Sequence, residues 1–312
     1  MAAIDTQNLT KVYKSIRRKA PSLDSLSLTV NEHEVFGFLG RNGAGKTTTI
    51  KLLTSLIRPT SGEAHIFGES IRTRASRRLI GYLPEQPYYY EYLTPRETID
   101  FYGELQGLSA ADRSREWARL SELLDLGEIA DERIRGFSKG MRQRVGFAVA
   151  LVGDPPLLIL DEPMSGLDPV GRRMIRQLIL RCRDEKKTVF FSSHVLSDVE
   201  QICDRVAILV RGRLVRQGRI DELVGEQTAK CEIALRGLGP ETVKRIAAQA
   251  ESHRRAEELD LFIVSDEAAA NAAVRAAHEE GGALVEMNTL RDSLEDYFMR
   301  EQERAGEKGA VG

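Results

Sequence analysis

The stretch Val35-Phe36-Gly37-Phe38-Leu39-Gly40-Arg41-Asn42-Gly43-Ala44-Gly45-Lys46-Thr47 begins as an apolar run and ends in a Gly-rich loop. The apolar run suits a strand buried on both faces, and a helix is predicted from Gly45 through Leu56. Gly40 to Thr47 fits the spacing G-x-x-x-x-G-K-[ST]. Glycines let backbone amides turn inward around an anion, and the helix N-terminus adds partial positive charge. Lys46 is placed to reach the outer phosphates of a nucleoside triphosphate, and Thr47 to hold Mg²⁺ through its hydroxyl. Arg41, Asn42, Gly43, Ala44, Gly45 and Thr48 are expected nucleotide-contacting positions of the same loop.

Further along, Leu157-Leu158-Ile159-Leu160 is a second apolar run, and it ends in Asp161-Glu162. Ligands of open α/β sheets sit beyond the carboxyl ends of the strands. Asp161 is therefore placed to bind Mg²⁺, directly or through water. Glu162 is placed to polarise an attacking water as general base, a role worth roughly 10²–10⁴-fold in rate. Thr188–Ser192 is another apolar run, and Val206–Val210 with Leu214–Gln217 reads as a hairpin turning at Arg211-Gly212. Strand-like runs alternating with helical stretches over residues 1–225 predict an α/β fold with a parallel sheet. Within it, two amphipathic segments, Pro95–Gln106 and Ser109–Leu126, predict an inserted helical subdomain at about 88–150. Thr94-Pro95 is the start signal of the first, Thr as cap and Pro in the first turn.

Around Gly225-Glu226-Gln227 the pattern resets. Residues 226–303 then read β-α-β-β-α-β, the ferredoxin-like plan, followed by an amphipathic helix from about Leu290 to Glu303. The tail 304–312 is small and polar and is expected to be disordered. At 42% hydrophobic and 29% charged, a 312-residue chain can bury a substantial core. The net charge of −2 and pI near 6.3 provide no global basic field, so nucleic acid is not an expected partner. No run approaches 18 apolar residues, and Met1–Asp5 lacks the basic and apolar segments of a secretory signal. Cys182, Cys203 and Cys231 show no C-x-x-C spacing and read as small buried hydrophobes of a reducing compartment. The basic run Ser15-Ile16-Arg17-Arg18-Lys19 reads as a solvated loop.

These motifs alone indicate a P-loop NTPase; later segments narrow the family. Phe137-Ser138-Lys139-Gly140-Met141-Arg142-Gln143-Arg144 resembles the signature of ATP-binding cassette (ABC) proteins, L-S-G-G-Q followed by Q-Q-R. Ser165-Gly166-Leu167-Asp168 is similar to that family's D-loop, and His194 to its switch histidine. Order and spacing resemble an ABC nucleotide-binding domain from Ile4 to Val224. The resemblance implies an ATPase in which two domains sandwich two ATP molecules head to tail. Ser138 and Gly140 would then contact the γ-phosphate held by the opposite subunit, and Asp168 would link the two sites. His194 would hold the γ-phosphate and help fix Glu162 and the water. Tyr13 would stack on adenine, on the order of 1–3 kcal/mol. Lys139 and Met141 depart from the family's Gly and Gln. In Pro84-Glu85-Gln86 the glutamine sits one place late, which leaves both Glu85 and Gln86 as candidate Mg²⁺ ligands.

The S-K-G-M-x-Q-R form and the ending Ser293-Leu294-Glu295-Asp296-Tyr297-Phe298 resemble bacterial exporters whose ATPase and permease are separate chains. That resemblance implies a homodimer whose ATP-driven closure powers a transmembrane permease from the cytoplasmic side of the inner membrane. It implies a bracing or regulatory role for the C-terminal domain. Tyr88-Tyr89-Tyr90 with Tyr92 is an expected part of the permease-docking groove. The competing reading, a soluble ABC ATPase acting on nucleic acid or ribosomes, is disfavoured by the single cassette and the lack of a basic face. An inactive nucleotide sensor is disfavoured by the presence of Glu162 and His194.

Overall fold

The chain starts with period-two alternation. In β2 (Leu23–Asn31), Leu26, Leu28 and Val30 point inward while Ser25 and Ser27 face out. This strand pairs antiparallel with β1 (Ala2–Lys11). Then follow β3 (Val35–Leu39) and α1 (Lys46–Leu53), and after them β4 (Ser61–Ile66) and the short β5 (Glu69–Ser70). One antiparallel sheet has the order β2-β1-β4-β5. The computed structural model describes residues 1–13, 21–225 and 230–290. Ser15–Lys19, Glu226-Gln227, the predicted C-terminal helix beyond Leu290 and the tail 304–312 lie outside the described residues.

The second sheet positions the chemistry. It adds α2 (Arg74–Arg78), β6 (Ile80–Leu83), α3 (Pro95–Leu105), α4 (Ala110–Leu123), α5 (Lys139–Leu151) and β7 (Leu157–Leu160). Next come α6 (Pro169–Asp184), β8 (Thr188–Ser193), α7 (Leu196–Glu200), β9 (Arg205–Val210) and β10 (Arg213–Arg219). The strand order is β10-β9-β3-β8-β7-β6, parallel throughout except for β10 at the edge. Every residue of β3, β7 and β8 is buried. That is why these strands read as continuous apolar runs rather than alternating ones. Phe36 and Phe190 stack across the β3–β8 pair with ring centroids 5.9 Å apart.

The helices between β6 and β7 begin where their capping residues dictate. Thr94 accepts from the Glu97 N–H, and Glu97 accepts from the Thr94 N–H, a complete capping box. Ser109 caps α4 by accepting from the Asp112 N–H. α1 is shorter than its predicted span, because Ser55 adopts a left-handed φ of 61° and the chain turns back.

The chain divides into two compact units, Met1–Arg219 and Ile220–Gly312. α8 (Ile220–Gly225) opens the second unit. That unit continues with β11 (Lys230–Arg236), α9 (Pro240–Ala247), β12 (Ser252–Ala256), β13 (Leu259–Val264), α10 (Glu267–Glu279) and β14 (Ala283–Leu290). Its antiparallel sheet has the order β12-β13-β11-β14. Ile233, Leu235, Phe262 and Val264 pack against Ile246 of α9 and the alanines of α10. β14 runs on to Leu290, where the sequence predicts a helix start. Pairing of Lys230 with Leu290 and of Cys231 with Thr289 extends the strand.

Candidate functional site

Because β3, β8, β7 and β6 are parallel neighbours, their carboxyl ends share one sheet edge. The loop 40–47 follows β3, His194 follows β8, Asp161-Glu162 follows β7 and Glu85 follows β6. A cleft of about 550 Å³ opens there. Arg41, Asn42, Gly43, Gly45, Lys46, Thr47 and Thr48 line it on the loop side. Tyr13, Ser22, Glu85, Glu162, Ser165 and His194 line the remainder.

Gly45 is the N-cap of α1, and no side chain caps the helix. Its φ of 113° is a glycine conformation, and a Cβ there would stand 2.6 Å from the Ser22 carbonyl oxygen. Gly43 is also left-handed, and a Cβ on it would meet no atom within 4 Å. The first turn of α1 thus opens on the cleft with amides that no side chain satisfies, an anion-binding arrangement. Gly40 and Ala44 support it from behind. The Gly40 carbonyl accepts from Lys46 Nζ at 2.6 Å, and Ala44 is buried against Gly40.

The charged residues form one chain of contacts. Lys46 Nζ lies 3.0 Å from Glu162 Oε1, with both side chains buried. Glu162 Oε2 lies 2.8 Å from His194 Nδ1. Glu162 has a left-handed φ of 50°, and its N–H donates to Ser192 Oγ at 2.9 Å. Ser192 Oγ in turn donates to Asp161 Oδ1 at 2.7 Å. Thr47 Oγ1 is 3.5 Å from the same Asp161 oxygen. Burial pushes the Asp161 carboxyl above its usual range, opposed by the Ser192 and Thr47 hydroxyls and reinforced by the Glu85 and Glu162 charges. A carboxylate this poorly solvated, facing a threonine hydroxyl and a second acid, is a hard-oxygen donor set that suits Mg²⁺. A buried ammonium beside uncapped amides suits phosphate. Both groups fit the residues present.

Ser192 escapes sequence reasoning. A serine ending an apolar strand two places before His194 was the available signal, but only strand pairing sets it against Asp161. Glu85 lines the cleft and Gln86 is not among the lining residues, so the register that puts Glu85 after Pro84 faces the site. Tyr13 lines it as well, with Lys11 Nζ 5.3 Å from its ring centroid.

Ser138, Gly140 and Asp168 are not among the residues lining this cleft. Ser138 caps α5 by accepting from the Met141 N–H, and a Cβ on Gly140 would meet nothing within 4 Å. Asp168 caps α6 by accepting from the Gly171 N–H at 2.7 Å. Lys139 folds over Gly166, so its charge lies against the 165–168 segment of its own chain. The tyrosine cluster divides. Tyr88, Tyr90 and Tyr92 are exposed, and Tyr90 packs near Tyr92 and edge-on to Phe101. Tyr89 turns inward, its hydroxyl against Gly146 of α5, and burial raises its phenol far above the ordinary value.

Comparison with known proteins places this geometry. Residues 23–165 match the family model described as ABC transporter. An uncharacterized ABC transporter ATP-binding protein of Synechocystis is 39% identical, over 97% of this chain and 85% of its own length. The bacitracin transport ATP-binding protein of Bacillus licheniformis is 36% identical, over 95% of this chain and 96% of its own. Among solved structures, a dimeric ATP-binding cassette in a post-hydrolysis state with ADP and Pi superposes with a TM-score of 0.64. It is 25% identical, over 69% of this chain and 98% of that one.

Proposed function

The chain belongs to the family of ABC transporter ATP-binding proteins and is an ATPase, and from that premise we propose that two copies close on two ATP molecules to drive a separate permease that exports its cargo. The observation that carries this reading is the chain Lys46–Glu162–His194 at the open N-terminus of α1. In it, the γ-phosphate of ATP replaces Glu162 as the partner of Lys46. Glu162, released from the ammonium and still held by His194, orients and deprotonates the attacking water. Its backbone stays fixed by Ser192. Tyr13 stacks on the adenine.

Thr47 and Asp161, with Glu85 nearby, would hold Mg²⁺, which would supply positive charge to offset that of the phosphate oxygens. Asp161 is kept in place for it by the Ser192 hydroxyl.

The second half of each site comes from the other copy. Ser138 and Gly140 sit at a helix N-terminus with no ligand of their own chain, and this favours their contacting the nucleotide of a partner. Asp168 caps its helix and from there reaches the opposite site. Tyr88, Tyr90 and Tyr92 form the exposed aromatic surface suited to the permease. Tyr89, directed inward against Gly146, serves in packing and supports that surface from behind. The helices α3 to α5 form the inserted subdomain that transmits closure. Residues 226–303 form a ferredoxin-like accessory domain for dimer bracing or regulation. The assembly works at the cytoplasmic face of the membrane.

Glu162→Gln is the direct test. It should bind ATP normally and lower turnover by roughly 10²–10⁴-fold. Undiminished phosphate release would remove Glu162 from the role of base. For the permease surface, Tyr90→Ala with Tyr92→Ala should weaken copurification with the permease and leave basal hydrolysis intact.

A further inference from the structure

A second cleft, of about 480 Å³, lies in the first unit between the end of α1 and α2. Its wall carries Arg58, Arg72 and Arg77, and its apolar lining comes from Ile57, Pro59 and Ile71. The arginines come from three places in the chain: the loop after α1, the turn between β5 and α2, and α2 itself. All three are exposed. Among the described residues, no carboxylate oxygen comes within 4.0 Å of their guanidinium groups. The same holds for the neighbouring Arg74 and Arg78.

Elsewhere in this unit, arginines usually have such a partner. Arg113 holds Asp100, Arg119 holds Glu116, Arg144 holds Asp125 and Arg176 holds Asp198. Helix capping does not account for the cluster either. The Ile50, Lys51 and Leu52 carbonyls near the end of α1 already accept from the backbone N–H groups of Thr54, Ser55, Leu56 and Ile57. Like charges gathered without a counter-charge repel one another, and an anion relieves that repulsion. Guanidinium forks match phosphate oxygens bidentately. The apolar lining suits an organic group attached to the phosphate.

We propose that Arg58, Arg72 and Arg77 form a binding site for a phosphate ester, separate from the nucleotide cleft. A soluble phosphorylated metabolite and the headgroup of an anionic phospholipid share this chemistry. The near-neutral total charge of the chain conceals the patch, because acids elsewhere balance it.

The experiment uses the full chain and two probes. One is sn-glycerol 3-phosphate, followed by calorimetry. The other is co-sedimentation with phosphatidylcholine vesicles, with and without phosphatidylglycerol. Wild type is compared with R58Q/R72Q/R77Q and with R58K/R72K/R77K, with unfolding temperature checked in each. The Gln variant should lose about tenfold or more of the affinity for the probe that binds, with ATP affinity unchanged. The Lys variant keeps the charge and loses the forks, so it too should bind more weakly than wild type. Binding of the soluble ester assigns the site to a metabolite, and binding only to phosphatidylglycerol vesicles assigns it to lipid. Equal binding of both probes by wild type and the Gln variant overturns the proposal. Full retention by the Lys variant also overturns it, because it would reduce the cluster to diffuse charge.

Discussion

The N-termini of α1 and α5 carry the two sequence motifs that define the family, and they differ in how they are finished. α1 begins at Gly45, which has no side chain to donate or accept, so its first amides face the cleft. α5 begins at Ser138, whose hydroxyl already accepts from Met141. One end is incomplete without an anion; the other is self-capped and lies outside the cleft of its own chain. The same helix physics therefore yields an anion-binding end at α1 and a closed end at α5. The difference teaches that a helix N-terminus binds an anion within its own chain only where no side chain caps it, and that the second motif, capped and outside the cleft, is the part that the proposed dimer would use.

The largest expected effect comes from closing the open end. Gly45→Ala forces an alanine into φ 113° and drives its Cβ against the Ser22 carbonyl. ATP binding should be lost, and equilibrium binding of a fluorescent ATP analogue checks it. Retained affinity would mean that α1 does not need its bare start.

At the other end, Ser138→Ala should cost about 1 kcal/mol of stability through the lost cap. If the hydroxyl also serves a partner's phosphate, hydrolysis should fall by about tenfold or more. Thr94→Ala is the control, since it removes a comparable cap at α3. It should lower the unfolding temperature similarly and leave hydrolysis unchanged. Mixing Ser138→Ala with Glu162→Gln gives a sharper version. In a head-to-tail mixed dimer, one site retains both Glu162 and Ser138, so part of the activity should return. No recovery on mixing would break the two-halves reading.

The smallest effect concerns stability alone. Burial raises the Asp161 carboxyl pKa above 3.8, so the folded state holds this proton more tightly than the unfolded chain. That contribution is fully present below the unfolded value and is lost as pH rises through the raised folded value. At neutral pH Asp161 is therefore a stability cost in the absence of Mg²⁺. Asp161→Asn should raise the unfolding temperature at pH 7, with a gain that shrinks as pH falls through this window. Mg²⁺-dependent hydrolysis should be lost in the same variant.

Several parts were legible in the chain because they depend on near neighbours. The loop 40–47 is set by local glycine conformations and a following helix, and the buried strands announced themselves by unbroken apolar runs. The caps at Thr94 and Ser109 follow from residues three places apart. The antiparallel sheet of β1, β2, β4 and β5 was not anticipated. Its alternation is present in the sequence, but β1 pairs with residues far along the chain, such as Thr6 with Leu28 and Ile4 with Ile66. Tyr89 and Tyr90 are adjacent in sequence, and only packing against Gly146 turns one inward.

The sequence by itself therefore determined the α/β class, the phosphate loop and the acids that follow β7, because strand burial and glycine geometry are local constraints. Only the tertiary structure decided that Ser192 braces Asp161 and Glu162, that Glu85 rather than Gln86 faces the cleft, and that Arg58, Arg72 and Arg77 converge. Those contacts join residues from separate elements, and their distances are fixed by sheet order and register rather than by spacing along the chain.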